Sequence, residues 1–86
     1  MDKKQFWLIK QVVNNLEYNK NDNSSLKFMF VGRSLPTDKY SDEEIREATK
    51  MVFSESEKIV SKQKDIDELQ LKELLINYFQ SLNQNA

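Results

Sequence analysis

The chain contains no cysteine and no histidine among its 86 residues, and it has a single glycine and a single proline. Without cysteine it can form neither disulfides nor thiolate metal sites. The absence of histidine removes the most frequent metal ligand and the most frequent general base. Sandwiches and barrels need many turns, so an all-β fold is not expected from so little glycine and proline.

Charged residues are abundant, at 31% of the chain against 38% apolar residues. The net charge of −1 hides an uneven distribution, with +3 over residues 1–40 and −4 over residues 41–86. A chain of this length suits one domain, and we expect residues 1–86 to form a single helical domain. Oligomerisation is the remaining way to stabilise so small a core.

Apolar residues recur at helical spacing in three segments, which predicts helices over about 3–18, 42–63 and 66–82. The first helix is expected to be capped by Asp2, with Gln5 three residues later. Trp7 and Leu8 lie off its main apolar stripe. Either this helix is buried on more than one side, or Trp7 faces a partner.

The other two helices have different signatures. The sequence Ser41-Asp42-Glu43-Glu44 is typical of a capping box, in which Ser41 and Glu44 exchange hydrogen bonds at a helix start. The last helix is apolar over more than half of its circumference. Such a helix is expected at the centre of a bundle or at an oligomer interface.

Residues 26–31 are ambiguous, because the short apolar run Leu-Lys-Phe-Met-Phe-Val suits a helix or a strand. We prefer a helix over 25–31, ended by Gly32, because no second convincing strand is visible to pair with a lone one. The predicted fold is therefore all-α, a small bundle of three to four helices. The alternative is an α+β fold in which 26–31 is a short strand.

Acidic residues cluster in the first turns of two predicted helices. The clusters are Glu43, Glu44 and Glu47, and Asp65, Asp67 and Glu68. Paired carboxylates can serve general acid–base chemistry or hold a metal ion. Acids in a first turn are also what the helix dipole favours, and we adopt this interpretation. We therefore expect no cofactor, no metal and no enzymatic activity.

The sequence argues against nucleic acid as the partner, because the pI is about 5.4 and the best-defined helix starts with three acids. No apolar run approaches the roughly 20 residues that span a bilayer, so we expect no transmembrane segment. The apolar stretch Phe6 to Ile9 is too short for a signal peptide. We expect a cytoplasmic protein.

A non-enzymatic, inhibitor- or adaptor-type protein that binds another protein is the function that the sequence favours. The Lys- and Asn-rich composition suggests a phage or mobile element of a low-GC bacterium, with a host protein as the partner. A homodimer is a further partner that the sequence allows, and a small DNA-binding transcriptional regulator is an alternative function. The candidate partner-binding residues are Trp7, Phe28, Phe30, Arg33, Tyr40, Asp42, Glu43, Glu44 and Phe53.

A second alternative comes from the order of the predicted helices and from residues 67–74, Asp-Glu-Leu-Gln-Leu-Lys-Glu-Leu. A long third helix before a Leu-rich fourth resembles the four-helix immunity proteins of class IIa bacteriocins. The resemblance covers the second half of the chain and implies an immunity-type protein. Those proteins tend to be basic, whereas this chain has a net charge of −1.

Overall fold

The structure is a computed structural model that describes residues 2–19, 21, 25–28 and 39–84. Within these residues the elements are, in chain order, α1 (Lys3–Asn14), β1 (Leu16–Asn19), β2 (Ser25–Phe28), α2 (Asp42–Lys62) and α3 (Glu68–Gln84). α1 packs against both other helices, α2 packs against α3, and β1 packs against α3. The prediction of a small helical bundle is confirmed, and the bundle carries a short β-hairpin.

α1 begins as predicted but is shorter than the predicted helix over 3–18. The Oδ1 atom of Asp2 accepts a hydrogen bond of 2.7 Å from the backbone N–H of Gln5, which confirms the N-cap. The helix ends at Asn14, and Asn15 closes it by bonding its backbone N–H to the carbonyls of the last turn. The prediction that residues 15–18 are helical was wrong. Leu16 continues the helical spacing of the apolar residues, but it also fits the alternation of buried and exposed residues in a strand, and it begins β1.

The hairpin corrects the preferred helix over 25–31. β1 and β2 are antiparallel, with Leu16 opposite Phe28 and Asn19 opposite Ser25. Ser25–Phe28 is thus a strand, and the α+β alternative is confirmed for these residues; residues 29–31 lie outside the described part of the chain. We preferred a helix because no second strand was visible in the sequence to pair with this one. Residues 16–19, which were predicted to end the first helix, form that second strand.

α2 begins with the predicted capping box. Ser41 Oγ accepts from the Glu44 backbone N–H at 3.1 Å, and Glu44 Oε1 accepts from the Ser41 backbone N–H at 2.9 Å. Buried residues follow at intervals of four, namely Ala48, Val52, Ser56 and Val60. The buried Ser56 hydroxyl donates to the Val52 carbonyl at 2.6 Å, which satisfies it within the helix.

α3 begins two residues later than the predicted helix over 66–82. Asp67 Oδ1 accepts from the Gln70 backbone N–H at 2.8 Å, and the Gln70 side chain accepts from the Asp67 N–H at 3.1 Å. The buried residues of this helix are Leu71, Leu75 and Phe79. None of the three described helices is long and apolar enough to cross a membrane.

Candidate functional site

The amino ends of α1 and α2 meet at one place, and Tyr40 joins them. This residue precedes the Ser41 cap of α2, and its side chain is buried. Its hydroxyl donates a hydrogen bond of 2.8 Å to the backbone carbonyl of Lys4 in the first turn of α1. Tyr40 therefore fixes the start of α2 against the start of α1.

Trp7 stacks on Tyr40 from the next turn of α1. The two rings are parallel within 3°, and their centroids are 6.1 Å apart. The Trp7 side chain is 41% exposed, whereas Tyr40 is only 7% exposed. The exposed indole is therefore held in a fixed orientation by a buried neighbour. Leu8 is buried, so α1 is buried on more than one side, while Trp7 reaches solvent.

A cleft of about 260 Å³ opens between the two helix ends. Its lining residues are Asp2, Lys4, Gln5, Leu8, Tyr40, Glu44 and Glu47. Three of them are carboxylates and one is an ammonium group. We call the cleft residues Asp2, Lys4, Tyr40, Glu44 and Glu47, together with Trp7, the aromatic corner.

Hydrogen bonding, burial and neighbouring charges shift the pKa values of two groups of the aromatic corner, Glu44 and Tyr40. The hydrogen bond from the Ser41 backbone lowers the pKa of Glu44, and the positive charge of Lys4 adds to this effect. Burial raises the pKa of Tyr40, and the negative charges of Glu44 and Asp2 raise it further. At neutral pH the corner thus presents an ionised carboxylate beside a neutral, hydrogen-bonded phenol.

Asp42 and Glu43 extend the negative charge beyond the cleft. Both side chains are exposed in the first turn of α2, and neither lines the cleft. Among the described residues, no group of three or more carboxylates could hold a metal ion. In this region Glu44 belongs to the cap of α2, whereas Asp42 and Glu43 add negative charge to the surface.

Five of the nine residues predicted from the sequence lie at or beside the aromatic corner: Trp7, Tyr40, Asp42, Glu43 and Glu44. Phe53 lies on α2 and is partly exposed. Phe28 is the last residue of β2, and Phe30 and Arg33 lie outside the described residues. The structure thus unites the Trp7 surface with the acidic turn of α2.

Sequence reasoning missed the roles of Asp2, Lys4 and Glu47 at the corner. The sequence predicts that Asp2 caps α1 and that Glu47 is one of the acids at the start of α2. It does not predict that the two residues line the same cleft. Lys4 carries no distinguishing signal; its ammonium lies 5.2 Å from the centroid of the Tyr40 ring. Only the packing of α1 against α2 brings these three residues together.

Comparisons of this chain with protein-family models, with curated proteins and with solved structures give no match.

Proposed function

We propose that this chain is a non-enzymatic protein-binding module that docks its aromatic corner onto a basic surface of a partner protein. The observation that carries the proposal is the half-exposed Trp7, stacked on the buried Tyr40 beside a cleft rich in carboxylates. By occupying such a surface the module would inhibit or redirect the partner. The cytoplasm and a phage or mobile element of a low-GC bacterium remain the proposed setting.

The fixed indole supports this role because few side chains contribute as much to binding as a preorganised Trp. Trp is among the residues most enriched at the energetic centres of protein interfaces. Tyr40 restricts the indole before binding, so little side-chain entropy is lost when a partner covers it. The aromatic face can accept a guanidinium or an ammonium group.

The acids around Trp7 support a partner of positive charge. Asp42 and Glu43 are exposed, so they can attract a basic surface from a distance. Arginine is the cation of choice, because its planar guanidinium can stack on Trp7 and still pair with a carboxylate. This charge pattern speaks against the DNA-binding alternative, since phosphates would be repelled from the same place.

The corner is better built for binding than for proton transfer. Asp2 and Glu44 each accept a hydrogen bond from a backbone N–H, which keeps them as helix caps. Tyr40 has a raised pKa and donates its proton to a main-chain carbonyl. The immunity-protein alternative has less support, since the chain has a strand at Ser25–Phe28 where a four-helix bundle needs a helix.

Calorimetric titration with short peptides tests the proposal. An arginine-rich peptide should bind, a peptide of the same length with glutamate in place of arginine should not, and added salt should weaken binding. Trp7→Ala should reduce the affinity about tenfold, equivalent to about 1.4 kcal/mol. Glu43→Lys should reduce it as well, because the charge that attracts the peptide is reversed.

Tyr78→Ala is the matched control, because Tyr78 on α3 is 40% exposed, close to the 41% of Trp7. This variant should bind the peptide with unchanged affinity. Equal affinity of Trp7→Ala and the unmodified chain would refute the aromatic corner as the binding site. Tighter binding of a DNA duplex than of the arginine-rich peptide would favour the regulator instead.

A further inference from the structure

Lys4 is the only cation among the described residues that line the cleft of the aromatic corner. The other charged residues of the lining are Asp2, Glu44 and Glu47, so negative charge exceeds positive charge there. A hydrogen bond from the Ser41 backbone lowers the pKa of Glu44, and the charge of Lys4 lowers it further. Lys4 therefore occupies the position in which a cation from a partner would balance these carboxylates.

The ammonium group of Lys4 is held loosely. It lies 5.2 Å from the centroid of the Tyr40 ring, over its face, and it forms no hydrogen bond or ion pair with any residue in the described part of the chain. The side chain is exposed, and its flexible stem can carry the ammonium into water at little cost in desolvation. The Tyr40 hydroxyl bonds the backbone carbonyl of Lys4, so this movement leaves the contact between α1 and α2 intact.

The size of the cleft limits it to one cationic side chain at a time. Its volume of about 260 Å³ lies below the roughly 300–1,000 Å³ of sites for drug-sized molecules, and it suits a single side chain. Two positive charges a few ångströms apart repel each other, and more strongly where water is partly excluded. A cation that enters the cleft must therefore displace Lys4.

Arginine gains from this exchange, whereas lysine does not. A guanidinium can form two parallel hydrogen bonds with one carboxylate while its flat face stacks on Trp7. The ammonium of an incoming lysine would only replace the ammonium of Lys4, with the same charge and the same donors. Lys4 therefore makes the cleft selective, because a ligand must offer more than an ammonium group to bind there.

We propose that Lys4 is an internal competitor of the aromatic corner: its ammonium occupies the cleft in the free chain, and one arginine of the partner binds by displacing it into solvent. The inference rests on the proposed function, and it adds the side chain that is recognised and the step that admits it. Its consequence is specific. Removal of the Lys4 charge should strengthen binding, although Lys4 lines the binding site.

Lys10 provides a matched control on the same helix. It lies three residues after Trp7, whereas Lys4 lies three residues before, so both are neighbours of the indole on the helix surface. The Lys10 ammonium lies 5.1 Å from the centroid of the Phe6 ring, which is nearly the geometry of Lys4 over its own ring. Lys10 does not line the cleft. Lys4→Gln and Lys10→Gln thus change the net charge equally, but only the first removes a cation from the cleft.

Calorimetric titration of the full chain with the arginine-rich peptide compares the two variants. Lys4→Gln should bind about fivefold more tightly than the unmodified chain, because no internal cation has to be displaced. Lys10→Gln should gain less than about twofold, from the change in net charge alone. A lysine-rich peptide of the same length should bind the unmodified chain more weakly than the arginine-rich peptide does. Equal gains for the two variants, no gain for Lys4→Gln, or equal affinity for the two peptides overturns the inference.

Nuclear magnetic resonance observes the displacement directly, in the unmodified chain. The methylene group bonded to Nζ of Lys4 lies near the face of the Tyr40 ring, so the ring current should shift its proton resonances in the free chain. Saturation with the arginine-rich peptide should abolish this shift, while the corresponding shift of Lys10 near Phe6 should persist. A Lys4 shift that persists in the complex overturns the inference, and the proposed function still stands if binding depends on Trp7. Absence of binding by every chain overturns both.

Discussion

The backbone N–H of Tyr18 in β1 donates a hydrogen bond of 3.0 Å to Oε1 of Glu68 in α3, fifty residues further along the chain. In a two-stranded sheet each strand has one side without a strand neighbour, where backbone groups need other partners. The Glu68 carboxylate fills that role for Tyr18. One turn further along α3, Lys72 Nζ donates a hydrogen bond of 3.2 Å to the carbonyl of Asn14, which links α3 to the end of α1 just before the hairpin.

Replacing Glu68 should therefore weaken the attachment of the hairpin to the helices. We expect Glu68→Ala to lower the free energy of unfolding by about 1 kcal/mol, as measured by urea denaturation. Glu73→Ala is the matched control, being the same change at an exposed position of the same helix. Equal denaturation midpoints for the two variants would show that the hydrogen bond to Tyr18 contributes nothing.

Tyr40→Phe removes a hydroxyl and keeps an aromatic ring next to Trp7. The hydroxyl donates to the Lys4 carbonyl, so we expect a loss of about 1 kcal/mol in the free energy of unfolding. Thermal and urea denaturation measure this difference. A stability equal to that of the unmodified chain would mean that the ring alone joins α1 and α2.

Tyr18→Phe should act in the opposite direction. The Tyr18 side chain is buried, and its hydroxyl finds no hydrogen-bond partner within the described part of the chain. A buried polar group without a partner is unfavourable, so its removal should raise the free energy of unfolding by about 1 kcal/mol. The same denaturation experiment checks the sign, and destabilisation would contradict the environment described for Tyr18.

The capping carboxylate of Glu44 should make stability depend on pH in the acid range. Its pKa is below the ordinary 4.5 in the folded chain, mainly because of the hydrogen bond from Ser41. Folding is thus favoured while Glu44 is ionised above pH 4.5, and this contribution is lost as the pH falls through the lowered pKa. Glu44→Gln keeps an oxygen for the capping box but cannot ionise, so its stability should change less between neutral and acidic pH. Parallel urea denaturation of both chains at several pH values tests this difference.

Much of the helical framework could be predicted because its signals are local. Ser41 and Glu44 lie three residues apart, so their mutual capping requires no knowledge of distant residues. Asp2 is recognised for the same reason. At α3 the sequence offers two acids, Asp65 and Asp67, each with a polar residue three positions later. The predicted helix over 66–82 places the cap at Asp65, and this was wrong, because Asp67 begins the helix by exchanging hydrogen bonds with Gln70.

The hairpin and the aromatic corner depend on contacts between distant residues, which local patterns do not reveal. Leu16 continues the spacing of the first helix and also begins β1, so its periodicity fits both structures. Four-residue strands leave little pattern to detect. Tyr40 directly precedes the predicted cap residue Ser41 in the sequence, but its hydrogen bond to Lys4 spans 36 residues. The sequence identified Trp7 on α1 and the acids at the start of α2 as candidate residues, but it did not show that the two helix ends are in contact.

Trp7 is the only tryptophan of the chain, and it lies on the surface where we expect a partner. The molecule therefore carries an intrinsic fluorophore at the point of contact. A ligand that covers the indole should shift its emission to shorter wavelength without any attached dye.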